Sequence, residues 1–197
     1  MARTPPIYIL RHGQTDWNAE GRLQGQTDTD INARGRRQAD ANGRRLSALI
    51  GDGAGFDFVA SPLRRTRETI ERARTAMGLP PLAYRTDPRL MELNYGAWEG
   101  STLPEIEARE TGMLARRDRD KWNFLPPGPG GESYAMLRGR VQPWLESVTG
   151  PTVCVTHGGV VRVIFVAIEG MPENKAAALE IPQNRVLRLE NGRLDWL

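Results

Sequence analysis

The amino-acid sequence predicts an α/β protein with a mostly parallel central sheet. Two kinds of segment alternate along the chain: short apolar runs typical of strands buried on both faces, and longer segments whose apolar residues recur at helical spacing. Strands that alternate with helices in this way form a layered sheet with helices packed against it. No long-period repeat interrupts the pattern, so we expect a single domain over residues 1–197.

The first predicted elements are a strand, a surface helix and a second strand. Residues 6–10 are a continuous apolar run, which predicts a buried strand. Asn32 is a suitable N-cap for a helix over residues 32–50, because apolar residues at helical spacing follow it and glycines end the segment. Residues 56–60 then predict the second strand.

The next helix has the clearest boundaries in the sequence. Ser61 can cap its N-terminus, Pro62 suits the first helical position, and Gly78 ends it. Residues 81–85 predict another short strand. Over residues 94–131 no single period persists, and the segment closes with a run of prolines and glycines. We expect a loop-rich excursion there, with one short helix.

The C-terminal third returns to regular alternation. Residues 133–148 carry apolar side chains on one helical face, and residues 152–156 predict a fully apolar strand. Residues 160–168 are apolar nearly all round, which predicts a buried helix. Asn191 and Gly192 separate two short apolar runs, a pattern that predicts a closing β-hairpin with a type I′ turn.

Composition narrows the class of protein. Hydrophobic residues make up 39% of the 197 residues and charged residues 26%, so the chain can build a sizeable core with a solvated surface. The apolar runs fall far short of the ~20 residues that span a bilayer, and the N-terminal residues lack the apolar core of a signal peptide. We therefore expect a cytoplasmic protein with no membrane partner. The lone cysteine, Cys154, excludes an intramolecular disulfide.

Arginine carries almost all of the positive charge. The formal net charge is +3, and Lys121 and Lys175 are the only lysines among 27 basic residues. This usage suits either a GC-rich genome or a preference for anionic partners, whose oxygens the guanidinium fork matches in pairs. We expect no nucleic-acid partner, because two aspartates interrupt the one basic run, residues 116–121.

The only two histidines, His12 and His157, have matched surroundings. Each follows an apolar strand and precedes a glycine. In open α/β sheets ligands bind outside the carboxyl ends of the strands, so the two imidazoles can meet in one crevice. Arg11 lies beside the first histidine, and Arg65 falls in the opening turn of a helix at the same edge. Two guanidiniums near two imidazoles and a helix N-terminus predict a pocket for a dianion such as phosphate.

The segments around these side chains resemble the histidine phosphatase superfamily, also called the phosphoglycerate mutase-like family. They carry an R-H-G-Q-T signature, an S-x-L-x-R-x-x-x-T helix start that places the phosphate-binding arginine at Arg65, and a T-H-G-G motif. The match is colinear over most of the chain. Its segments are residues 11–18, 23–39, 61–69, 92–96, 130–133 and 156–162. The resemblance implies a three-layer α/β/α sandwich, with helices on both faces of the sheet.

The resemblance also implies a phosphomonoester hydrolase that acts through a phosphohistidine. In that reaction His12 attacks phosphorus, and Glu92 protonates the leaving oxygen and later activates water. His157, as a charged or donating partner, holds the phosphoryl oxygens together with Arg11 and Arg65. We expect the two arginines to lower the pKa of His12 and keep it unprotonated.

Further donors to the phosphate are expected from Asn18, Gln24, Gly25 and Gly158. Glu99 is the alternative for the acid, since it lies near Glu92 in sequence. We expect no metal and no other cofactor, because arginine already balances the phosphoryl charge.

Two other functions stay open on the same scaffold. One is a cofactor-dependent phosphoglycerate mutase, although such mutases have longer chains with an extra segment before the second histidine. The other is a non-catalytic binding protein, although none of the arginine, histidine or glutamate positions is missing here.

The expected partner is a small-molecule phosphomonoester whose identity the sequence does not give. Specificity would lie in residues 94–131, where Trp98, Trp122 and Phe124 could line the substrate site or form local core. The oligomeric state also stays open. A homodimer through the apolar C-terminal strand is one alternative.

Overall fold

A computed structural model describes residues 5–197, and its centre is a six-stranded sheet. The strands are β1 (Ile7–Arg11), β2 (Asp57–Ala60), β3 (Arg85–Thr86), β4 (Thr152–Thr156), β5 (Val186–Glu190) and β6 (Arg193–Trp196). Their order in the sheet is β3-β2-β4-β1-β5-β6. The first four strands of that order pair in parallel, and β5 and β6 are added antiparallel at one edge. The predicted mostly parallel sheet is therefore confirmed.

Within residues 5–197, eight α-helices connect and flank the strands. They are α1 (Asp16–Glu20), α2 (Ala33–Ile50), α3 (Arg64–Ala76), α4 (Leu103–Arg109), α5 (Met113–Arg119), α6 (Tyr134–Ser147), α7 (Gly158–Glu169) and α8 (Glu173–Ala178). Short 3₁₀ turns lie at Pro88–Leu90 and Gly96–Trp98. Within the described residues, no helix is long and apolar enough to cross a membrane.

The helices cover both faces of the sheet because successive strand residues point to opposite sides. In β1, Ile7 and Ile9 join the core beneath α6 and α7, whereas Tyr8 and Leu10 join the core beneath α2 and α3. All four side chains are buried, and each stabilises the fold by about 1.5–3 kcal/mol relative to an exposed position. The expected three-layer arrangement is thus present. Cys154 lies in the first of these cores, where burial raises the pKa of its thiol.

Several element boundaries agree with the sequence prediction. Strand β4 spans the predicted residues, and Asn32 caps α2 by accepting the Gly35 N–H at 2.9 Å. The closing hairpin has Asn191 at φ 51° and Gly192 at φ 74°, as a type I′ turn requires.

Other boundaries differ. Helix α3 begins at Arg64, two residues after the predicted start, because the Ser61 hydroxyl contacts His157 and the Asp28 carboxylate accepts the Arg64 N–H instead, at 2.7 Å. The strand predicted over residues 81–85 is shorter and begins later, since β3 comprises only Arg85–Thr86.

The segment over residues 94–131 contains two α-helices, α4 and α5, where one was expected. A capping box formed by Thr102 and Glu105 begins α4. The short helices α1 and α8 were also not predicted. Each has only five or six residues, too few for a periodic apolar pattern.

Candidate active site

The two histidines meet at the carboxyl edge of the sheet. His12 follows β1 and His157 follows β4, and these strands are parallel neighbours with Arg11 opposite Thr156. The His12 N–H donates to the Thr156 carbonyl at 2.9 Å, and the imidazole ring centroids lie 5.2 Å apart. Helix α3 follows β2, the next strand along, and brings Arg65 to the same edge. The predicted convergence of these side chains is therefore observed.

His12 is buried and has a defined tautomer. Its Nδ1 lies 2.8 Å from the Gly13 carbonyl, which can only accept a hydrogen bond. Nδ1 therefore carries the proton, and Nε2 of the neutral ring holds a lone pair. Burial, followed by the charges of Arg65 and Arg11, lowers the pKa of His12 well below 6.5. The predicted direction of the shift is confirmed, but burial is its largest cause.

Backbone contacts fix the His12 segment. The Gly13 N–H donates to Thr69 Oγ1 at 3.0 Å, and Gln183 Nε2 donates to the His12 carbonyl at 3.1 Å. A Cβ on Gly13 would collide with the backbone of Gly35 in α2, so the close approach of these two segments requires glycine.

His157 is a neutral imidazole in the structure. Its Nε2 lies 2.8 Å from the Ser61 hydroxyl, and its buried Nδ1 has no hydrogen-bond partner. Burial, Arg65, His12 and Arg11 lower its pKa well below 6.5. Of the two expected roles, these surroundings favour the neutral donor over the charged partner.

Arg65 is completely buried and only partly satisfied. Nη1 donates to the Thr27 carbonyl at 2.8 Å and Nη2 to the Gly25 carbonyl at 2.6 Å, while Nε has no partner. Burial lowers its pKa to about 10, so the guanidinium remains charged at neutral pH. Arg11 donates from Nη1 to the Ile181 carbonyl at 2.7 Å, and its buried Nε is also unpartnered. Unpaired buried donors are costly, which favours an anion between the two guanidiniums.

These side chains surround a cavity of about 120 Å³, which we call the phosphate pocket. Its lining residues are Arg11, His12, Asn18, Arg22, Leu23, Gln24, Gly25, Arg65, Glu92, Tyr95, Gly158 and Arg162. All predicted site residues line it except His157, whose ring lies against His12. No local pattern in the sequence predicts a role for Arg22 or Tyr95, whereas Arg162 lies one turn into the helix that follows His157.

The amides of the phosphate pocket are oriented as donors. Asn18 Oδ1 accepts from the Thr15 N–H at 3.2 Å and from Gln183 Nε2 at 3.0 Å. Gln24 Oε1 accepts from the Thr29 hydroxyl at 2.7 Å. With their oxygens engaged, both side chains can offer an NH₂ group to an anion.

Glu92 lies at the N-terminus of α7. Its carboxylate accepts the Gly159 N–H at 3.1 and 3.2 Å and the Leu93 N–H at 2.9 Å. A Cβ on Gly159 would collide with the carboxylate, so glycine permits this approach.

A partly buried ion pair holds the segment that carries Glu92. Arg140 donates to the carbonyls of Arg89 (2.8 Å), Met91 (2.7 Å) and Glu92 (2.9 Å). It also binds the Glu132 carboxylate at 2.9 Å. These contacts fix the backbone at three points between Arg89 and Glu92.

Glu99, the alternative acid, does not line the phosphate pocket. Its carboxylate accepts the N–H groups of Gln26 and Thr27 at 2.8 Å and of Tyr95 at 3.2 Å, and it also binds the Thr27 hydroxyl. Glu99 therefore holds the loop that carries Gly25, and this geometry favours Glu92 over Glu99 as the acid. Within residues 5–197, no three His, Cys, Asp or Glu side chains are grouped to hold a metal ion.

The neutral histidine pair makes stability depend on pH. In the folded protein the pKa values of His12 and His157 lie well below 6.5, whereas the unfolded chain takes up protons below about pH 6.5. This contribution to the free energy of unfolding is fully present above about pH 6.5. It is lost as the pH falls toward the lowered pKa values of the two histidines. In phosphate-free buffer, the free energy of unfolding should fall by up to about 1.4 kcal/mol per pH unit for each histidine.

Urea unfolding of the wild type and His12→Gln between about pH 7 and pH 5 checks this prediction. The variant has lost one of the two histidines. Its free energy of unfolding should therefore change with pH about half as steeply as that of the wild type. Identical slopes, or a flat profile in the wild type, would contradict the buried neutral pair.

Known proteins resemble this chain in sequence and in fold. Residues 7–196 match the family model of the histidine phosphatase superfamily (branch 1). The probable phosphoglycerate mutase GpmB of Erwinia tasmaniensis is 32% identical, over 97% of this chain and 87% of its own length. The glucosyl-3-phosphoglycerate phosphatase of Mycolicibacterium vanbaalenii is 34% identical, over 86% of this chain and 76% of its own. The mycobacterial glucosyl-3-phosphoglycerate phosphatase solved in complex with VO3 is 30% identical, with a TM-score of 0.78 and 98% of each chain covered.

Proposed function

Because this chain belongs to branch 1 of the histidine phosphatase superfamily, we propose that it is a metal-independent phosphomonoesterase acting on a small phosphorylated metabolite through a phosphohistidine at His12. The observation that carries the proposal is the neutral His12 in the phosphate pocket, beside two guanidiniums with unpaired donors. A neutral imidazole with a free Nε2 is a nucleophile at physiological pH, and the guanidiniums match the oxygens of a phosphoryl group.

In the first step His12 Nε2 attacks phosphorus, and the bond from phosphorus to the ester oxygen breaks. Glu92, entering the step protonated, gives its proton to that oxygen, so the products are an alcohol and phosphohistidine. In the second step the Glu92 carboxylate takes a proton from water as the water oxygen attacks phosphorus. The nitrogen–phosphorus bond breaks, releasing phosphate and restoring neutral His12 and protonated Glu92.

The other residues of the pocket stabilise the transferring group. Arg11 and Arg65 provide charge and unpaired donors, and His157, whose ring lies against His12, stays the expected further partner of that group. Asn18 and Gln24 add amide donors, and the backbone around Gly25 and Gly158 completes the pocket. Such donors are preorganised for the charge spread over the phosphoryl oxygens.

Hydrolysis is favoured over mutase activity by the extent of the likeness to a phosphatase. Relatives bear both names, but the solved phosphatase and this chain overlap over 98% of each. This chain therefore has no long insertion relative to that phosphatase, although the mutase-named relative also covers 97% of it.

Release of phosphate from 3-phosphoglycerate and p-nitrophenyl phosphate in excess chelator tests the function. Because guanidiniums supply the charge that a metal would otherwise supply, activity in chelator should stay within about twofold of untreated enzyme. Activity lost in chelator and restored by a divalent cation would contradict metal independence. Conversion to 2-phosphoglycerate without release of phosphate would favour the mutase.

Loss of the Arg140 hydrogen bonds should impair proton donation by Glu92. An alkyl phosphate has a poor leaving group that needs this proton, whereas nitrophenolate leaves without it. Arg140→Met should therefore lower kcat for an alkyl phosphate by about 10²-fold, and by only a few fold for p-nitrophenyl phosphate. Arg140→Lys should restore part of the loss.

Arg138→Met on the same helix is the matched control. Arg138 is partly exposed and lies 3.9 Å from Glu173, so both substrates should keep wild-type rates. Equal losses for the two esters in Arg140→Met would show a general disturbance of the pocket and contradict a role in positioning Glu92.

A further inference from the structure

Gln183 is a half-buried residue next to the phosphate pocket, and the reaction above does not use it. It lies in the segment that leads from α8 into β5. Two side chains hold the backbone of this segment. Arg11 Nη1 donates to the Ile181 carbonyl at 2.7 Å, and the buried Asn42 donates from Nδ2 to the Gln183 carbonyl at 3.0 Å. Residues of β1 and α2 therefore fix the place from which the Gln183 side chain extends.

The Gln183 side chain contacts two residues that line the phosphate pocket. Its Nε2 donates to the His12 carbonyl at 3.1 Å and to Asn18 Oδ1 at 3.0 Å. An amide nitrogen carries two hydrogens, so these contacts use both donors of the side chain. Because the His12 carbonyl can only accept a hydrogen bond, it determines which end of the Gln183 amide faces these residues.

The contact with Gln183 also bears on the orientation of the Asn18 amide. Asn18 Oδ1 accepts from the Thr15 N–H as well, at 3.2 Å, so both lone pairs of this oxygen are engaged. A reversed Asn18 amide would place its NH₂ group against two donors, the Thr15 N–H and Gln183 Nε2. Its oxygen would then be the end left for an anion in the phosphate pocket, which is unfavourable.

We propose that Gln183 is a positioning residue, which holds the Asn18 amide with its NH₂ group toward the phosphoryl group. Gln183 does not line the phosphate pocket, so it acts through Asn18 and does not touch the substrate. The inference rests on the proposed function only for the place of the phosphoryl group, and binding of phosphate alone can test it.

The dissociation constant of inorganic phosphate, measured by calorimetry, is the first readout. Gln183→Met keeps the length of the side chain without a donor and should raise Kd about tenfold, as expected for one lost hydrogen bond to a charged group. Asn18→Ala should raise Kd by a similar factor. If Gln183 acts through Asn18, the double variant should also lie about tenfold above the wild type, whereas independent effects would multiply to about 100-fold.

Two further substitutions separate the donor from the volume of the side chain. At about pH 8, Gln183→Glu keeps the shape but is ionised and has no N–H to donate. A carboxylate there attracts the Asn18 NH₂ group away from the anion, so Kd should rise at least as much as in Gln183→Met. Gln183→Asn keeps an amide and should restore part of the affinity. Asn184→Ala, at the exposed next residue, is the matched control and should leave Kd within about twofold of the wild type.

Asn42→Ala provides a test that leaves the Gln183 side chain unchanged. It removes the hydrogen bond to the Gln183 carbonyl, so Kd should rise by a few fold in the otherwise wild-type protein. In the Asn18→Ala background the same substitution should have no further effect. This pair decides the role of Gln183 even if Gln183→Met does not fold.

The outcomes distinguish this inference from the proposed function. If the wild type binds phosphate but hydrolyses no ester, the phosphomonoesterase fails, and a tenfold rather than 100-fold double variant still supports the role of Gln183. Wild-type affinity in Asn18→Ala, in Gln183→Met or in Gln183→Glu would overturn that role, as would a double variant about 100-fold weaker than the wild type. A wild type that binds no phosphate would overturn both.

Discussion

Replacing His12 by alanine should lower kcat for every phosphomonoester by at least about 10⁴-fold, because the nucleophile itself is removed. His12 is the residue whose Nδ1 is tied to the Gly13 carbonyl and whose Nε2 is free in a neutral ring. His157 is not placed to take over this role, since His12 lines the phosphate pocket and His157 does not.

Binding of inorganic phosphate shows whether His12→Ala has lost only the nucleophile or the folded pocket as well. His12→Ala keeps Arg11 and Arg65, so calorimetry should still detect inorganic phosphate bound to the variant. A folded, phosphate-binding variant that retained more than about a hundredth of the wild-type kcat would contradict His12 as the nucleophile.

Replacing Arg65 by lysine should lower kcat/KM by about 10³-fold despite the retained charge. Arg65 donates at once to the Gly25 and Thr27 carbonyls and has further donors for the phosphoryl group. A lysine has three donors on one atom and cannot reach both carbonyls and the substrate in this geometry. Either the loop or the phosphate then loses its partner.

Arg64→Lys is a closely matched control for this prediction. Arg64 precedes Arg65 in α3, but its side chain is exposed and pairs with Asp30. Its replacement should leave kcat/KM within about twofold of wild type, as is usual for surface ion pairs. Similar losses in the two variants would contradict the assignment of the phosphate contact to Arg65.

The position of the site could be predicted because it follows from topology. His12 and His157 are far apart in sequence, but each ends an apolar strand, and parallel strands present their carboxyl ends at one edge. The motif spacing likewise selects the buried Arg65 over the exposed Arg64.

The contacts that hold the catalytic side chains in position could not be predicted. Arg140 lies about fifty residues from Glu92 in sequence, and only the folded chain brings its guanidinium to the carbonyls around that carboxylate. Ser61 is of a residue type that is preferred at N-caps, yet its hydroxyl contacts His157. A local pattern cannot choose between a helix cap and a tertiary hydrogen bond.

The start of α4, within residues 94–131, does have a signal in the sequence. Thr102 and Glu105 have the spacing of a capping box, and they do start α4. The surrounding prolines and glycines concealed it. The role of burial in the histidine pKa values was missed for a different reason, since solvent exclusion depends on packing that no motif displays.

If the phosphoryl group passes through His12, the phosphohistidine can be trapped and located. Glu92→Gln should slow both steps, but an aryl phosphate with a good leaving group needs no acid, so phosphohistidine should accumulate before water attacks. After rapid quenching at alkaline pH, peptide mass spectrometry should find the added phosphoryl group on His12. A phosphoryl group on His157, or no phosphorylated residue while phosphate is still released, would exclude His12 as the nucleophile.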